Sequence, residues 1–215
     1  MTVAIVLGSA SPARLKLLHA AGVEPRVFAS EVDEGAVMAH AKESYGELDP
    51  ADMALVLARA KAEAVSTALA DRPDHLVLGC DSILDIDGEV HGKPVDAAEA
   101  TARWQRMRGQ SGTLHTGHWL IDDREDGTGA TFGAVASTVV HFAQLDDAEI
   151  SAYIATGEPL RVAGAFTIDG LGGPYITSIE GDHSNVVGLS LPLLRDLLRE
   201  IGLEFHHLRE SPAPA

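Results

Sequence analysis

The chain has 215 residues, 46% of them apolar and 22% charged, and carries a formal net charge of −16. That size and apolar share suffice for a sizeable core and argue against a disordered chain, and the dispersed acidity argues against a nucleic-acid polymer as partner, because such binding leans on many Lys and Arg contacts to phosphate. The single cysteine, Cys80, excludes an intrachain disulfide and fits a cytoplasmic protein, and no segment is long and apolar enough to span a bilayer, so no membrane is expected.

"VAIVL" (Val3–Leu7) is an apolar run of strand length, of the kind buried on both faces. The leading "MTVAIVLG" is too short, and lacks the basic start, for a signal peptide. "SASP" stops the strand. Ser11 is placed to cap a helix with Pro12 at its first position, and Gly22 to end it. A strand through "EPRVFAS" follows, then a long helix over 50–70 with Met53, Leu55, Leu57, Ala60 and Val65 near helical spacing. "HLVLGC" reads as a second buried strand, and "DSILDIDGEVHGKP" as a hairpin turning at Asp87-Gly88. Residues 97–107 read as a helix, and "TLHTGHWLIDD" and "TFGAVASTVVHF" as two strands around a polar, glycine-containing turn. A helix over 146–156 starts at Asp146, strands are expected through "AGAFTIDG" and "PYITSIEGD", and a last helix over 189–200 precedes a short strand.

Helices and strands alternate at both ends around a more β-rich middle. The expected class is α/β, a mixed twisted sheet with flanking helices. No repeat or linker divides the chain, so residues 1–215 are expected to form one domain, two-lobed in outline, with a flexible tail over 210–215.

Several segments carry chemistry. A Ser-rich turn between a buried strand and a helix offers backbone N–H groups and the positive end of the helix dipole, which suits phosphate. Ser9 and Ser11 add hydroxyl donors, and Arg14 lies one turn inside the helix. Alone, this joint is better read as a capped helix with a solvated arginine, because it lacks the full glycine-rich phosphate-loop pattern. Asp81 follows a buried strand, where open α/β sheets place ligands, and a carboxylate there can hold a divalent cation or orient water. A strand-end turn aspartate is an equal alternative. Lys93 lies beyond the hairpin, and Lys61 sits on the long helix, where exposed lysines are the default. Glu31, Asp33 and Glu34 make an acidic loop, open to a metal or to solvent alone. The histidines have no zinc spacing, and Cys80 lies in an apolar strand as a structural thiol. Taken together, a hydroxyl/Arg loop, a strand-end carboxylate and two lysines in a cation-poor chain point to a nucleoside phosphate with a metal.

The ordered set "LGSASPARLKLL", "SEVDE", "LARAKA", "GCDSILDIDGEVHGKP", "SGTLHTGH", "GEPLRVAGAFTIDGLGG" and "IEGDHSNVVGLSLPLL" resembles the Maf family of nucleoside triphosphate pyrophosphatases over nearly the whole chain. The resemblance implies a bilobed α/β fold with a central cleft, and hydrolysis of a nucleoside triphosphate at the α-phosphate to monophosphate and pyrophosphate. It further implies a divalent metal, Mg²⁺ or Mn²⁺, frequent assembly as a homodimer, and a house-cleaning role with a link to cell-division arrest. By this resemblance Ser9 and Arg14 match the phosphate-binding motif, Glu34, Lys61 and Lys93 the polar catalytic positions, and Asp81 the proton acceptor. Asp81, joined by Glu34, is also the candidate metal ligand, and its two roles stay open. Members specific for dTTP and UTP carry arginine, threonine and glutamine where this chain has Ala13, Ser82 and Asp169. An ionised carboxylate only accepts hydrogen bonds, whereas glutamine also donates. Asp169 therefore suits guanine or cytosine, which present amino donors, better than thymine or uracil. A nucleotidyltransferase and a non-catalytic nucleotide-binding regulator of septum formation are the alternative readings; the first favours a more glycine-rich loop than "LGSASPARLK".

Overall fold

The computed structural model describes residues 2–72 and 74–209. Its seven-stranded mixed sheet has the order β2-β1-β3-β5-β6-β7, with β4 paired to β3. The strands are β1 (Ile5–Leu7), β2 (Arg26–Val27), β3 (Leu76–Ile86), β4 (Glu89–His91), β5 (Ser111–Asp122), β6 (Thr131–Phe142) and β7 (Ile176–Glu180). Pairing among β2, β1 and β3 is parallel and elsewhere antiparallel. The helices are α1 (Pro12–Ala20), α2 (Glu34–Tyr45), α3 (Pro50–Ala68), α4 (Ala97–Met107), α5 (Asp147–Ala155), α6 (His183–Val187) and α7 (Leu191–Glu200). Among the described residues no helix is long and apolar enough to cross a membrane.

Strand β3 organises the molecule. One edge pairs with β5 from Leu76 to Asp85. The other meets β1 only over Leu76–Leu78 and β4 only over Leu84–Ile86. Residues 79–83 thus have no strand on that edge, and the loops after β1 and β4 border the gap from its two ends. Successive strand residues point to opposite faces. One face carries two apolar clusters at the two ends of the long strands. The first holds Leu76, Leu78 and Leu120 under Leu18 and Leu194; the second holds Leu84, Leu114 and Val140 under Trp104 and Tyr153. Between them, Ser82, Thr116 and Thr138 interrupt the hydrocarbon.

Helix α3 covers the opposite face through Ala54, Ala58 and Ala62, which recur every fourth residue and are fully buried. Small residues on the sheet allow this close approach. A Cβ on Gly79 would lie 2.2 Å from the Ala58 carbonyl oxygen, and one on Gly117 would lie 2.3 Å from that of Ala54. The helix therefore rests backbone-first on β3 and β5, which draws Lys61 down to the strand.

The helix over 97–107, both long central strands, the Asp87-Gly88 hairpin and the Asp146 cap are as the sequence predicts. Other expectations need correction. "AGAFTIDG" is no strand: it holds a 3-10 turn at Ala163–Ala165, with φ of 72° at Gly164 and 61° at Ala165, and no strand pairs with it. The strand through "EPRVFAS" shrinks to Arg26–Val27, and the closing short strand is a 3-10 turn over Phe205–Leu208. Helix α2, which the sequence does not announce, starts at Glu34, the last residue of the acidic loop, and Asp33 caps it, its carboxylate accepting from Ala36 N at 3.0 Å. The tail over 210–215 lies outside the described residues.

Candidate active site

Two polar groups meet at the bare edge of β3, one on each face. On the first face, Ser11 caps α1 as expected, accepting from Arg14 N. Arg14 turns back into the molecule and is only 8% exposed. Its guanidinium donates from Nη1 to Ser9 Oγ at 2.8 Å, from Nη2 to Ser82 Oγ at 3.0 Å, and from Nε to the Gly188 carbonyl at 2.6 Å. No carboxylate pairs with it among the described residues. A buried cation with neutral partners is a costly arrangement that a bound anion would relieve.

Behind Arg14 stands a polar row. Ser82 Oγ shares a hydrogen bond with Thr116 Oγ1 at 2.9 Å, and Thr116 reaches the Asn185 carbonyl at 3.3 Å. Asn185 Nδ2 donates to the Leu114 carbonyl and to Thr138 Oγ1. His118 Nδ1 lies 3.0 Å from the Thr116 carbonyl, and its Nε2 accepts from Ser190 N at 2.8 Å. This pattern requires a neutral ring protonated at Nδ1, and burial agrees, pushing the His118 pKa down to about 4. Sequence reasoning assigned no role to Thr116, His118, Asn185 or Gly188. The available signal was polar residues in otherwise apolar strands, and the Asn of "SNVVGL".

On the second face, Lys61 Nζ lies 2.5 Å from Asp81 Oδ1 and 2.7 Å from Glu34 Oε1. The Lys61 and Asp81 side chains are 13% and 14% exposed, while Glu34, at the start of α2, is 56% exposed. Burial raises the Asp81 pKa; the Lys61 and Arg14 charges and the Lys61 hydrogen bond oppose it, and the Glu34 charge adds to it. A carboxyl raised in this way moves toward the range useful to a general base. The loop after β1 closes on this face too: a Cβ on Gly8 would lie 3.3 Å from the Leu78 carbonyl oxygen and 3.6 Å from that of Lys61.

The remaining predicted residues stand further out. Lys93 is exposed on the loop after β4, at the far end of the gap, and makes no hydrogen bond or ion pair among the described residues. Ala13 is half-buried in the first turn of α1. Asp169 comes from the other end of the fold to sit beside α1, 3.8 Å from Lys16 Nζ. Glu31 is exposed, and Cys80 is buried with its thiol pushed up to about 12 by desolvation, which makes it inert. Two open hollows lie elsewhere: one of about 530 Å³ between α7 and Phe205, and one of about 300 Å³ between α2 and α3. Neither touches these groups, which line the groove left along the bare edge of β3.

Asp81 and Glu34 are the carboxylates this groove could offer a cation. Among the described residues no set of three metal-ligating side chains exists. Two carboxylates fit Mg²⁺ or Mn²⁺, which keeps several waters and takes its other ligands from substrate phosphates.

Residues 4–201 match the family described as Maf-like protein. The chain is 56% identical over 205 residues to a protein of Leifsonia xyli subsp. xyli, covering 95% of both. It is 57% identical over 202 residues to one of Salinispora tropica, covering 93% of this chain and 84% of the other. A third, from Trichormus variabilis, is 48% identical over 203 residues, covering 94% and 96% respectively. Each of the three bears the name nucleoside triphosphate pyrophosphatase.

Proposed function

The chain belongs to the family of Maf-like proteins, and from that premise we propose that it hydrolyses nucleoside triphosphates to monophosphate and pyrophosphate along the bare edge of β3. The observation that carries the assignment is the pair of buried charged groups on the two faces of that edge. Arg14 is buried with only neutral partners on one face, and the Lys61–Asp81 pair, whose carboxyl is raised by burial, lies on the other. A triphosphate laid across the edge contacts both.

In this reading the Ser9 loop and Arg14 grip the phosphates, and Lys61 and Lys93 neutralise charge on the departing pyrophosphate. Phosphoryl transfer asks mainly for positioning and charge stabilisation, which such a set supplies. Asp81 takes the proton of the water that attacks the α-phosphorus in line, while Glu34 keeps Lys61 directed at the site. Substrate phosphate entering the groove competes for Lys61 and releases Asp81 to act. In the other role left open for Asp81, it and Glu34 would hold a divalent cation, which would supply charge neutralisation when bound. Ser82 acts through Arg14, whose Nη2 it holds. Asp169 and Ala13 face the base from the α1 side.

The wider reading is a house-cleaning enzyme of the cytoplasm that works as a homodimer, with the two apolar clusters as its lobes. Modified bases in the substrate panel and sedimentation at two concentrations test those parts.

The central test is product analysis. The purified chain with Mg²⁺ or Mn²⁺ and a single triphosphate should yield monophosphate and pyrophosphate with no acceptor added, and none after chelation. Asp81→Asn should lower kcat by at least ~10²-fold, the low end for a general acid–base group. Near-normal turnover by that variant, or transfer of the nucleotide to an acceptor, would refute the assignment.

A further inference from the structure

The segment that carries Asp169 is built around one carboxylate, that of Glu158. Glu158 follows α5 and starts a 3-10 turn at Pro159–Arg161. Its Oε1 accepts from Thr167 Oγ1 at 2.6 Å, from the Tyr153 hydroxyl at 2.9 Å and from Gly172 N at 3.0 Å. Its Oε2 accepts from Leu171 N at 3.0 Å. The Tyr153 oxygen in turn accepts from Thr167 N at 3.3 Å. These four donors match a carboxylate's capacity of about four lone-pair sites.

The donors lie on both arms of the segment 167–172, and Asp169 lies between them. The backbone rests directly on the pin. A Cβ on Gly170 would come within 2.5 Å of Glu158 Oε2, and one on Gly172 within 2.3 Å of the Tyr153 oxygen. Burial raises the Glu158 pKa, but the hydrogen bonds from Thr167, Leu171, Tyr153 and Gly172 outweigh it and hold the carboxyl below its ordinary value. Among the described residues, the Asp169 side chain has only the 3.8 Å pair with Lys16, whose side chain is 73% exposed. Such a pair fixes little. A "DGLGG" segment has, by itself, wide backbone freedom.

We propose that Glu158 is a positioning residue for base selection: by closing both arms of the segment 167–172 it fixes where the Asp169 carboxylate meets the nucleobase. The proposal rests on the reading of Asp169 as the base contact. Glu158→Gln keeps the size but turns one acceptor into a donor that must face either Leu171 N–H or Gly172 N–H, so the 171–172 arm loses one of its two bonds. Selection by hydrogen bonding depends on a fixed partner, and a loosened one discriminates less.

The test compares kcat and KM for GTP, CTP, UTP and dTTP in the parent chain, Glu158→Gln, Asp169→Asn and the double variant. In Glu158→Gln the preference for amino-bearing bases over UTP and dTTP should fall by at least about 10-fold, the scale of one charge-assisted hydrogen bond. The loss should lie in KM, with kcat within about 3-fold. Asp169→Asn should erode the same preference, and the double variant should add no further loss. Hydrogen exchange at the Leu171 and Gly172 amides should quicken in Glu158→Gln. Thr167→Val, which removes one donor, should shift the preference in the same direction even if Glu158→Gln fails to fold. Preference lost in Asp169→Asn but kept in Glu158→Gln or Thr167→Val overturns the pin while leaving the Asp169 reading intact. Preference unchanged in Asp169→Asn overturns that reading and the pin with it. An equal fall of kcat for every nucleotide would make Glu158 a structural residue only, and would also overturn the proposal.

Discussion

Replacing Lys61 by Met removes the cation that lies 2.5 Å from Asp81 while keeping a long side chain in the same slot. Both partners are only 13–14% exposed, so little water replaces the lost ammonium. An opposite charge at that range holds a carboxyl pKa down by ~1–3 units. Its removal, with burial and the Glu34 charge still pushing upward, should raise the Asp81 pKa further. The direction follows from the chemistry. A base works ionised, so kcat/KM climbs with pH until the carboxyl has lost its proton. A raised pKa therefore moves the acid limb to higher pH. The assay is pyrophosphate release against pH at low substrate, for the parent, Lys61→Met and Lys61→Arg, each scaled to its own plateau. The substrate's own ionisation is common to all three. Lys61→Arg should leave the limb near its parent position, and Lys61→Met should shift it up by at least about one unit. An acid limb in Lys61→Met that stays in place, or moves to lower pH, would mean that Asp81 is not the titrating base.

Other consequences concern stability. Burial raises the Asp122 pKa, but hydrogen bonds from Arg124 and Thr128 outweigh it and bring the value down to about 2. Its folded pKa lies below the unfolded one, so its contribution of about 2 kcal/mol is present above pH ~4 and is lost as pH falls through about 2. Asp122→Asn should lower stability at neutral pH and flatten that part of an acid-unfolding curve. His118 is likewise depressed, to about 4 by burial, so stability should rise with pH between about 4 and 6.5, by about 3 kcal/mol in total. Urea unfolding of the parent and His118→Gln at pH 5 and pH 7 checks this: the pH-dependent part should shrink in the variant. Gly79→Ala drives a methyl into the Ala58 carbonyl, and should cost about 1–3 kcal/mol of stability and lower turnover by lifting Lys61 away from Asp81. An unchanged urea midpoint there would contradict the close approach of α3.

The buried-strand runs, the Ser11 and Asp146 caps, the Asp87-Gly88 turn and the mixed α/β class were all legible in the sequence, because each is fixed within a few neighbouring residues. A cap needs one side chain and the next turn's amides, and a tight turn needs its own two residues. "AGAFTIDG" misled for the opposite reason. Its apolar residues are buried as a strand's would be, yet positive φ at Gly164 and Ala165 turns the chain out of an extended run, and only the packed fold decides that. Helix α2 went unseen because its sequence shows no apolar stripe; α3 beneath it supplies the packing that it needs.

The site divides the same way. Strand ends, loops and scarce charges nominated Ser9, Arg14 and Asp81, and the family resemblance gave Lys61 its place among them. That Ser82 and Asp81, neighbours in sequence, serve opposite faces of one strand follows from the two-residue pleat. Tertiary structure alone decided that β1 and β4 would leave the middle of β3 bare, so that Arg14 reaches it from one face and Lys61 from the other. It also decided that Gly188, 174 residues from Arg14, would hold that side chain, and that one carboxylate would close the Asp169 segment. Such partners are chosen by where packed layers come to rest, and no local pattern records the distance between them.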